Sequence, residues 1–438
     1  MKGGPMEHRV VLVYPYFQYK DPVAKLFPPL GVAYLASQLS ACGVDVSVID
    51  CTFETMETAL KKIVSLQPAI IGMSVMVSLS RRALELAGRL RAALPEAILV
   101  AGGALPSVYP YLYFPQFDLV FQGESDLIFP GFCRDYLHSR DQTAFLQQID
   151  VHDYPGLCRQ TSHGIFSSPT VHHDAKILDR LPRPDRSVFP HDRYRQHWHR
   201  ARQRPQTSII VTRGCPHTCD FCSKPVWGSV YRQLDLDKVF LEIGEIMDYG
   251  YERLWIADDS FTLDRSYLRE FCEQKLARGI EIAWTCLSHT RGIDRETIEL
   301  MKAAGCEKIY LGLESGSDET LRLMGKNNTV QEGIEAVQAL RQAGIRAAGF
   351  FIVGYPGESV DSIEKTFALA LSLPLEEISI NVPLPLPGSA LYARVCHLIS
   401  GEDWDTASAA SFVYESEHDQ DWLRGRIKET LARFDGRE

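Results

Sequence analysis

Long apolar runs and an excess of basic residues are both missing from this sequence. No stretch approaches the roughly 20 consecutive apolar residues that a membrane-spanning helix needs. Charges and prolines interrupt the N-terminal segment, where a signal peptide would carry its apolar core. We therefore expect a cytoplasmic protein with no membrane span. The formal net charge of −10 argues against a nucleic-acid-binding protein, which needs a basic surface to neutralise phosphates.

A disulfide framework is not indicated either, although cysteine itself is not rare. Eleven cysteines are present, and most of them stand singly along the chain. Such scatter is typical of reduced, mostly buried thiols. Only Cys215, Cys219 and Cys222 lie close together in the sequence.

The N-terminal part of the chain alternates short apolar runs with helical patterns. The predicted strands are Arg9–Tyr14, Val44–Ile49, Ala69–Val77, Ala97–Ala101 and Leu119–Gln122. The predicted helices are Leu30–Ala41, Glu54–Ser65 and Ser80–Leu94. Strands that alternate with helices indicate βαβ crossovers and a parallel sheet. We therefore predict a Rossmann-like parallel α/β domain over residues 1–137, with its ligands at the carboxyl ends of the strands.

A second strand–helix series begins near Thr207. Its predicted strands are Ser208–Thr212, Arg253–Ala257, Ile280–Thr285, Lys308–Leu313, Arg346–Val353 and Glu377–Val382. Its predicted helices are Leu236–Tyr249, Ser266–Arg278, Arg295–Ala304, Thr329–Ala343 and Ser359–Leu371. Six repeats are fewer than the eight of a closed barrel, so residues 206–392 are predicted to form a partial (β/α)6 barrel. Residues 138–205, rich in His, Arg, Asp and Pro, are predicted to be a linker, and residues 393–438 a short C-terminal cap or tail.

The three clustered cysteines follow the first predicted strand of the second series, in the spacing Cys215-x3-Cys219-x2-Cys222. Thiolates are the ligands of iron–sulfur clusters. Three of them can hold three irons of a [4Fe–4S] cluster and leave the fourth iron open to another ligand. A structural zinc ion held by these cysteines and His217 is the alternative, although zinc ligands usually come as two separated pairs.

This motif, with an aromatic residue (Phe221) before the third cysteine, resembles the radical S-adenosylmethionine (SAM) superfamily over residues 207–392. The resemblance implies that the open iron binds the amino and carboxylate groups of SAM. It also implies reductive cleavage of SAM to a 5′-deoxyadenosyl radical, with an electron donor such as flavodoxin or ferredoxin. The alternative class is a non-catalytic iron–sulfur or zinc protein.

Further matches to this family follow the later strands of the series. The residues that the resemblance places against SAM are Phe221, Asp258, Asp259, Ser288, Glu314, Ser315, Lys326 and Gly354. Three of these assignments have a qualification. Asp258 and Asp259 could instead cap a helix, and Lys326 stands where the family commonly has arginine, which keeps the charge but not the bidentate fork.

Gly102-Gly103 follows a predicted strand of the first domain and could cradle a phosphate, but no G-x-G-x-x-G motif is present. A dinucleotide oxidoreductase is therefore disfavoured. Together with the phrases at 28–36 and 123–126, this glycine pair resembles the cobalamin-binding domain of B12-dependent radical SAM enzymes. The residues that the resemblance places against cobalamin are Tyr16, Leu30, Gly31, Ser74, Gly102, Gly103, Gly123 and Glu124. A domain that kept this fold and lost the cofactor is the alternative.

Histidine is absent between His8 and His138. Bound cobalamin is therefore expected to be base-off, with no histidine ligand from this domain. Taken together, the resemblances imply a cobalamin-dependent radical SAM methyltransferase that methylates an unactivated carbon of a small-molecule substrate. A cyclase, oxidase or rearrangement enzyme that uses cobalamin without methyl transfer is the alternative within the family.

Overall fold

A computed structural model describes residues 9–17, 25–292, 294–399 and 411–437. The chain forms two compact units. Unit 1 runs to Pro205 and includes Pro225–Gly228. Unit 2 contains Gln206–Lys224 and continues from Ser229.

Unit 1 is built on a seven-stranded sheet in the order β2-β1-β3-β4-β5-β6-β7. Its strands are β1 (Arg9–Tyr14), β2 (Asp45–Asp50), β3 (Ile70–Ser74), β4 (Ile98–Gly102), β5 (Leu119–Phe121), β6 (Leu157–Thr161) and β7 (Gly164–Ser167). Its helices are α1 (Leu30–Ala41), α2 (Met56–Leu66), α3 (Ser80–Ala93), α4 (Ala104–Val108), α5 (Ile128–His138), α6 (Gln142–Gln148), α7 (Ala175–Leu178) and α8 (His191–Arg200). Strands β1 to β5 are parallel, whereas β6 and β7 are antiparallel to their neighbours.

The sheet of unit 1 is buried on both faces. Val11 and Val13 of β1 belong to one apolar cluster, and Val10 and Leu12 belong to another. Burial on both faces explains why the parallel strands read as unbroken apolar runs in the sequence. The predicted Rossmann-like fold is confirmed, and the strand order reverses between β1 and β3, where sheets of this kind bind ligands.

The stretch 138–205, which the sequence indicated as a linker, is a structured part of unit 1. It contributes the β6–β7 hairpin to the sheet edge, together with helices α6, α7 and α8. The strands of this hairpin are short, and from Arg159 onward their residues are partly or fully exposed. Their sequence therefore lacks the apolar run that identified the buried strands.

Unit 2 contains a six-stranded parallel sheet in the order β15-β14-β13-β12-β11-β8, and a two-stranded antiparallel ribbon of β9 and β10. Its strands are β8 (Gln206–Ile209), β9 (Thr212–Arg213), β10 (Arg232–Gln233), β11 (Arg253–Ile256), β12 (Ala283–Ser288), β13 (Cys306–Glu314), β14 (Arg346–Ile352) and β15 (Glu377–Asn381). Its helices are α9 (Leu236–Asp248), α10 (Arg265–Ala277), α11 (Arg295–Ala303), α12 (Asp318–Leu323), α13 (Val330–Gln342), α14 (Val360–Ser372), α15 (Ala390–Val395) and α16 (Gln420–Asp435). Six parallel strands in chain order, alternating with helices, confirm the predicted partial barrel.

The helices of unit 2 begin at side-chain caps that the sequence supplies. Asp235 caps α9, Asp264 caps α10 and Asp294 caps α11, each accepting the backbone N–H three residues on. Because Asp264 caps α10, neither Asp258 nor Asp259 has that function. None of the helices in the described part of the chain is long and apolar enough to cross a membrane.

Candidate functional site

The cysteine motif lies on the loop that joins β9 to β10. These two strands pair through Thr212 with Gln233 and Arg213 with Arg232, which closes the base of the loop. Cys215 is buried, Cys219 is partly buried and Cys222 is exposed. Since the loop leaves the carboxyl edge of the barrel sheet, its thiols lie where barrel enzymes place their chemistry.

Lys224 holds the backbone of this loop. Its Nζ donates to the carbonyl oxygen of Cys215 at 2.8 Å and also to that of His217. Lys224 itself has φ +44°, a conformation that residues other than glycine seldom adopt. The loop between the first two cysteines is therefore held by one cation at some conformational cost.

Asp258 fixes the point where the chain enters the loop. Its carboxylate is fully buried and accepts the N–H of Val211 and the hydroxyl of Thr212, both at 2.8 Å. Burial raises the pKa of Asp258 to about 7. Both oxygens are thus engaged by the protein, whereas the neighbouring Asp259 is exposed at the same edge.

Glu314, the last residue of β13, forms a buried ion pair with Lys326. Lys326 Nζ lies 3.3 Å from Glu314 Oε1 and 3.2 Å from the carbonyl oxygen of Gly312. A Cβ added at Gly312 would overlap Glu314 Oε1 and lie 3.1 Å from that Nζ, so any side chain there would displace the groups of the pair. The pair brings one carboxylate and one ammonium group together at the edge that carries the cysteine loop.

The end of β12 meets the cysteine loop through two stacked imidazoles. The rings of His217 and His289 lie 4.4 Å apart at 23°. Burial lowers the pKa of His289 to about 3, so this ring is neutral at any physiological pH. Ser288, the preceding residue, shares a 2.6 Å hydrogen bond with Thr262 and donates to the carbonyl oxygen of His289.

The remaining predicted SAM residues also contact other parts of unit 2. Ser315 is hydrogen-bonded to Thr366 of α14 at 3.1 Å. Gly354 has φ +79°, and a Cβ there would lie 2.7 Å from Leu423. Phe221 packs against an apolar cluster that includes Met324, Tyr355, Leu391, Val395 and Tyr414.

The donor set of the loop fits an iron–sulfur cluster. Three thiols on one loop are the ligand chemistry that such clusters require. Burial raises the pKa of the Cys215 and Cys219 thiols, so binding iron would displace their protons. Among the described residues, no group of three or more His, Cys, Asp or Glu side chains is arranged to hold a metal ion, and the ring of His217 stacks on that of His289.

The predicted cobalamin residues of unit 1 lie at one edge of its sheet. Ser74 and Gly102 end β3 and β4, Tyr16 follows β1, and Gly123 with Glu124 follows β5. Because these strands are parallel, their carboxyl ends meet at the same edge. Two further predicted residues, Leu30 and Gly31, begin α1.

Several of these residues have contacts that shape the loops of unit 1. Gly103 has φ +100°, and a Cβ there would lie 2.8 Å from the carbonyl oxygen of Val75. Glu124 is buried and accepts the N–H of His173 at 3.0 Å. Gly31 differs from them, because a Cβ there would meet no atom within 4 Å.

Sequence reasoning missed one partly buried polar group at the same edge of unit 1. Asp50, the last residue of β2, accepts the hydroxyl of Tyr194 at 2.6 Å and that of Thr52 at 2.6 Å. An aspartate that directly follows an apolar strand was the available signal. Its partner Tyr194 lies in the stretch interpreted as a linker, and no local pattern could have supplied it.

Family models match both units. Residues 209–370 match the Radical SAM superfamily, and residues 20–132 match the B12 binding domain. The chain is a radical SAM enzyme with a B12-binding domain. These two domains imply a [4Fe–4S] cluster, SAM and cobalamin as the cofactors of the enzyme.

Relatives of this radical SAM enzyme resemble it over most of its length. An uncharacterized methyltransferase of Pyrococcus horikoshii is 28% identical over 421 residues, which is 94% of this chain and 88% of the relative. The anaerobic magnesium-protoporphyrin IX monomethyl ester cyclase of Rubrivivax gelatinosus is 25% identical, over 97% of this chain and 77% of its own.

A solved structure has the same fold. The radical SAM methyltransferase TsrM of Kitasatospora setae, with cobalamin and a [4Fe–4S] cluster bound, matches with a TM-score of 0.75. The match covers 98% of this chain and 88% of that one at 17% identity. At this identity the likeness supports the fold.

Proposed function

We propose that this enzyme is a cobalamin-dependent radical SAM methyltransferase acting on an unactivated carbon of a small molecule. The observation that carries the proposal is the position of Cys215, Cys219 and Cys222 on one loop at the carboxyl edge of the barrel. Their donor set suits a [4Fe–4S] cluster, and the same chain carries a B12-binding domain. When bound, the cluster and SAM supply a carbon-centred radical, and cobalamin supplies the methyl group.

The residues around the cysteine loop suit the charged end of SAM. SAM carries an ammonium group and a carboxylate on its methionine part, and Glu314 with Lys326 offers one group of each opposite charge. We assign the SAM contacts to this pair, Phe221, Asp259 and Ser288. The other predicted SAM residues are Asp258, Ser315 and Gly354. They would hold the backbone of the surrounding loops and so position the residues that contact SAM.

Cobalamin is assigned to the carboxyl edge of unit 1. Gly31 leaves open space at the start of α1, and Tyr16 and Ser74 lie at the point where the strand order reverses. Since no histidine lies between His8 and His138, the cofactor would be base-off without a histidine ligand from this domain. Leu30, Gly102, Gly103, Gly123 and Glu124 would form the surrounding loops.

The test uses anaerobically reconstituted enzyme, dithionite in place of the biological flavodoxin or ferredoxin, and SAM labelled in its methyl group. The proposal predicts formation of 5′-deoxyadenosine and recovery of the label in the corrinoid fraction. A Cys219→Ala variant serves as the control that abolishes 5′-deoxyadenosine. Absence of 5′-deoxyadenosine from the wild-type enzyme would favour a non-catalytic iron–sulfur or zinc protein.

A cyclase without methyl transfer is the second candidate function, because a cyclase of Rubrivivax gelatinosus resembles this chain over 97% of its length. The two candidates differ in what happens to the substrate. Methyl transfer adds the mass of one CH2 group to the product and carries the label with it. Cyclisation leaves the label out of the product, even where 5′-deoxyadenosine forms.

A further inference from the structure

Asp220 lies between the second and third cysteines of the motif, and its polar groups bind three other elements of unit 2. Its carboxylate accepts the hydroxyl of Tyr355, in the loop after β14, at 2.6 Å. The same Oδ2 lies 3.3 Å from Arg394 Nη1 of α15. Its backbone N–H donates to the carbonyl oxygen of Met324 after α12, and its own carbonyl accepts the N–H of Leu391, each at 2.9 Å.

The hydrogen bonds of Asp220 are largely shielded from water. Tyr355, Met324 and Leu391 are fully buried, and only 14% of the Asp220 side chain is exposed. The Arg394 guanidinium also lies over the ring of Tyr355, 5.5 Å from its centroid. Hydrogen bonds with this little access to water are stronger than the same bonds on a surface, whereas the ion pair is partly screened because 42% of the Arg394 side chain is exposed.

Backbone packing adds to the same contact. Gly325 has φ +66°, and a Cβ there would lie 2.9 Å from the carbonyl oxygen of Thr218, so the loop lies directly against this glycine. The cysteine loop is therefore held on the side of Met324 and Gly325 as well as by Asp220. Cys219 and Cys222 flank the fixed residue and have little freedom to move apart from it.

We infer that Asp220, Tyr355 and Arg394 form a latch that positions the cluster-binding loop, so that helix α15 controls how firmly the cluster is held. The inference rests on the proposed function and deepens it. All three are positioning residues, because they act on the cluster through the backbone between two of its ligands. Residues that do not bind a metal themselves but orient its ligands typically change metal affinity by about 10–100-fold when they are removed.

The experiment measures how fast a chelator removes iron from the anaerobically purified, full-length enzyme. Tyr355→Phe removes one hydroxyl and keeps the ring, and Arg394→Met removes the ion pair from a side chain that is 42% exposed. Both variants are expected to release iron roughly ten times faster than the wild type. When SAM is added to the reduced cluster, both variants are also expected to give an electron paramagnetic resonance signal with more than one component.

Two controls separate this effect from general loss of stability. Tyr154→Phe removes an equivalent tyrosine–aspartate hydrogen bond in unit 1, where Tyr154 donates to Asp135 at 3.0 Å, and is expected to leave iron release unchanged. Arg394→Lys keeps the charge and is expected to restore slow release. Because Arg394 is half-exposed, its variants should fold even if Tyr355→Phe does not.

Wild-type rates and an unchanged resonance signal in Tyr355→Phe and Arg394→Met would overturn the latch and leave the proposed function standing. A wild-type enzyme that holds no iron would overturn both.

Discussion

Glu358, in the loop after β14, provides a quantitative test of the packing around the barrel edge. Its side chain is 4% exposed. Oε2 accepts the N–H groups of Gly354 and Tyr355 at 2.8 and 3.0 Å. Oε1 faces the hydroxyl of Thr320 without a well-formed hydrogen bond. Burial raises the pKa of Glu358 from 4.5 to about 7.

This pKa makes the stability of the barrel unit depend on pH. The folded protein keeps a proton on Glu358 that the unfolded chain releases between pH 4.5 and about 7, so stability falls as the pH rises through this range. The stability that protonated Glu358 contributes to the fold is fully present below pH 4.5 and is lost as the pH passes about 7. The difference between the pKa of 4.5 in the unfolded chain and about 7 in the folded protein corresponds to about 3 kcal/mol of unfolding free energy.

Glu358→Gln keeps an oxygen for both N–H groups and removes the titrating charge. Thermal unfolding should therefore give similar midpoints for the variant and the wild type near pH 5. Near pH 9 the variant should unfold about 6–12 °C higher, because each kcal/mol moves the midpoint by about 2–4 °C in a domain of this size.

The exposed Glu252 supplies a matched control, since Glu252→Gln should change the midpoint equally at both pH values. A Glu358→Gln variant that is less stable than the wild type at the higher pH would refute the reasoning.

Two further predictions concern a buried charge and a close backbone approach. Lys326→Met should destabilise the enzyme by about 3–5 kcal/mol in chemical unfolding because Glu314 loses its partner, and adding Glu314→Gln should recover most of the loss. A double variant that is as unstable as Lys326→Met alone would contradict this explanation. Gly103→Ala should destabilise unit 1 by more than about 1 kcal/mol because its Cβ would overlap the carbonyl of Val75, whereas Gly31→Ala should cost less than about 0.5 kcal/mol. Similar unfolding midpoints for the two glycine variants would show that the overlap relaxes.

The fold was predictable wherever burial leaves a periodic pattern. The bounds of β1 and α1 agree with the sequence prediction at both ends, because an apolar run and a helical apolar stripe each begin and end sharply there. The six barrel strands were found for the same reason. The β6–β7 hairpin was missed because its short strands, which are buried only at Leu157 and Cys158, carry no such pattern.

The site was predictable only in its local part. The spacing of the three cysteines is visible in the sequence because one loop carries all of them. The partners of Asp220 are 135 and 174 residues away along the chain, and only the fold brings them together. Asp258 illustrates the intermediate case, since its position after a strand was evident but its hydrogen bonds to Val211 and Thr212 were not.

Metal and corrinoid analysis of anaerobically purified protein tests the central claim most directly. The wild-type enzyme should contain about four iron atoms per chain with matching sulfide, and should show the visible absorption of both a cluster and a corrinoid. Replacing Cys215, Cys219 and Cys222 together by alanine should remove the iron and leave the corrinoid. Zinc in place of iron, or full turnover by the triple variant, would contradict the account.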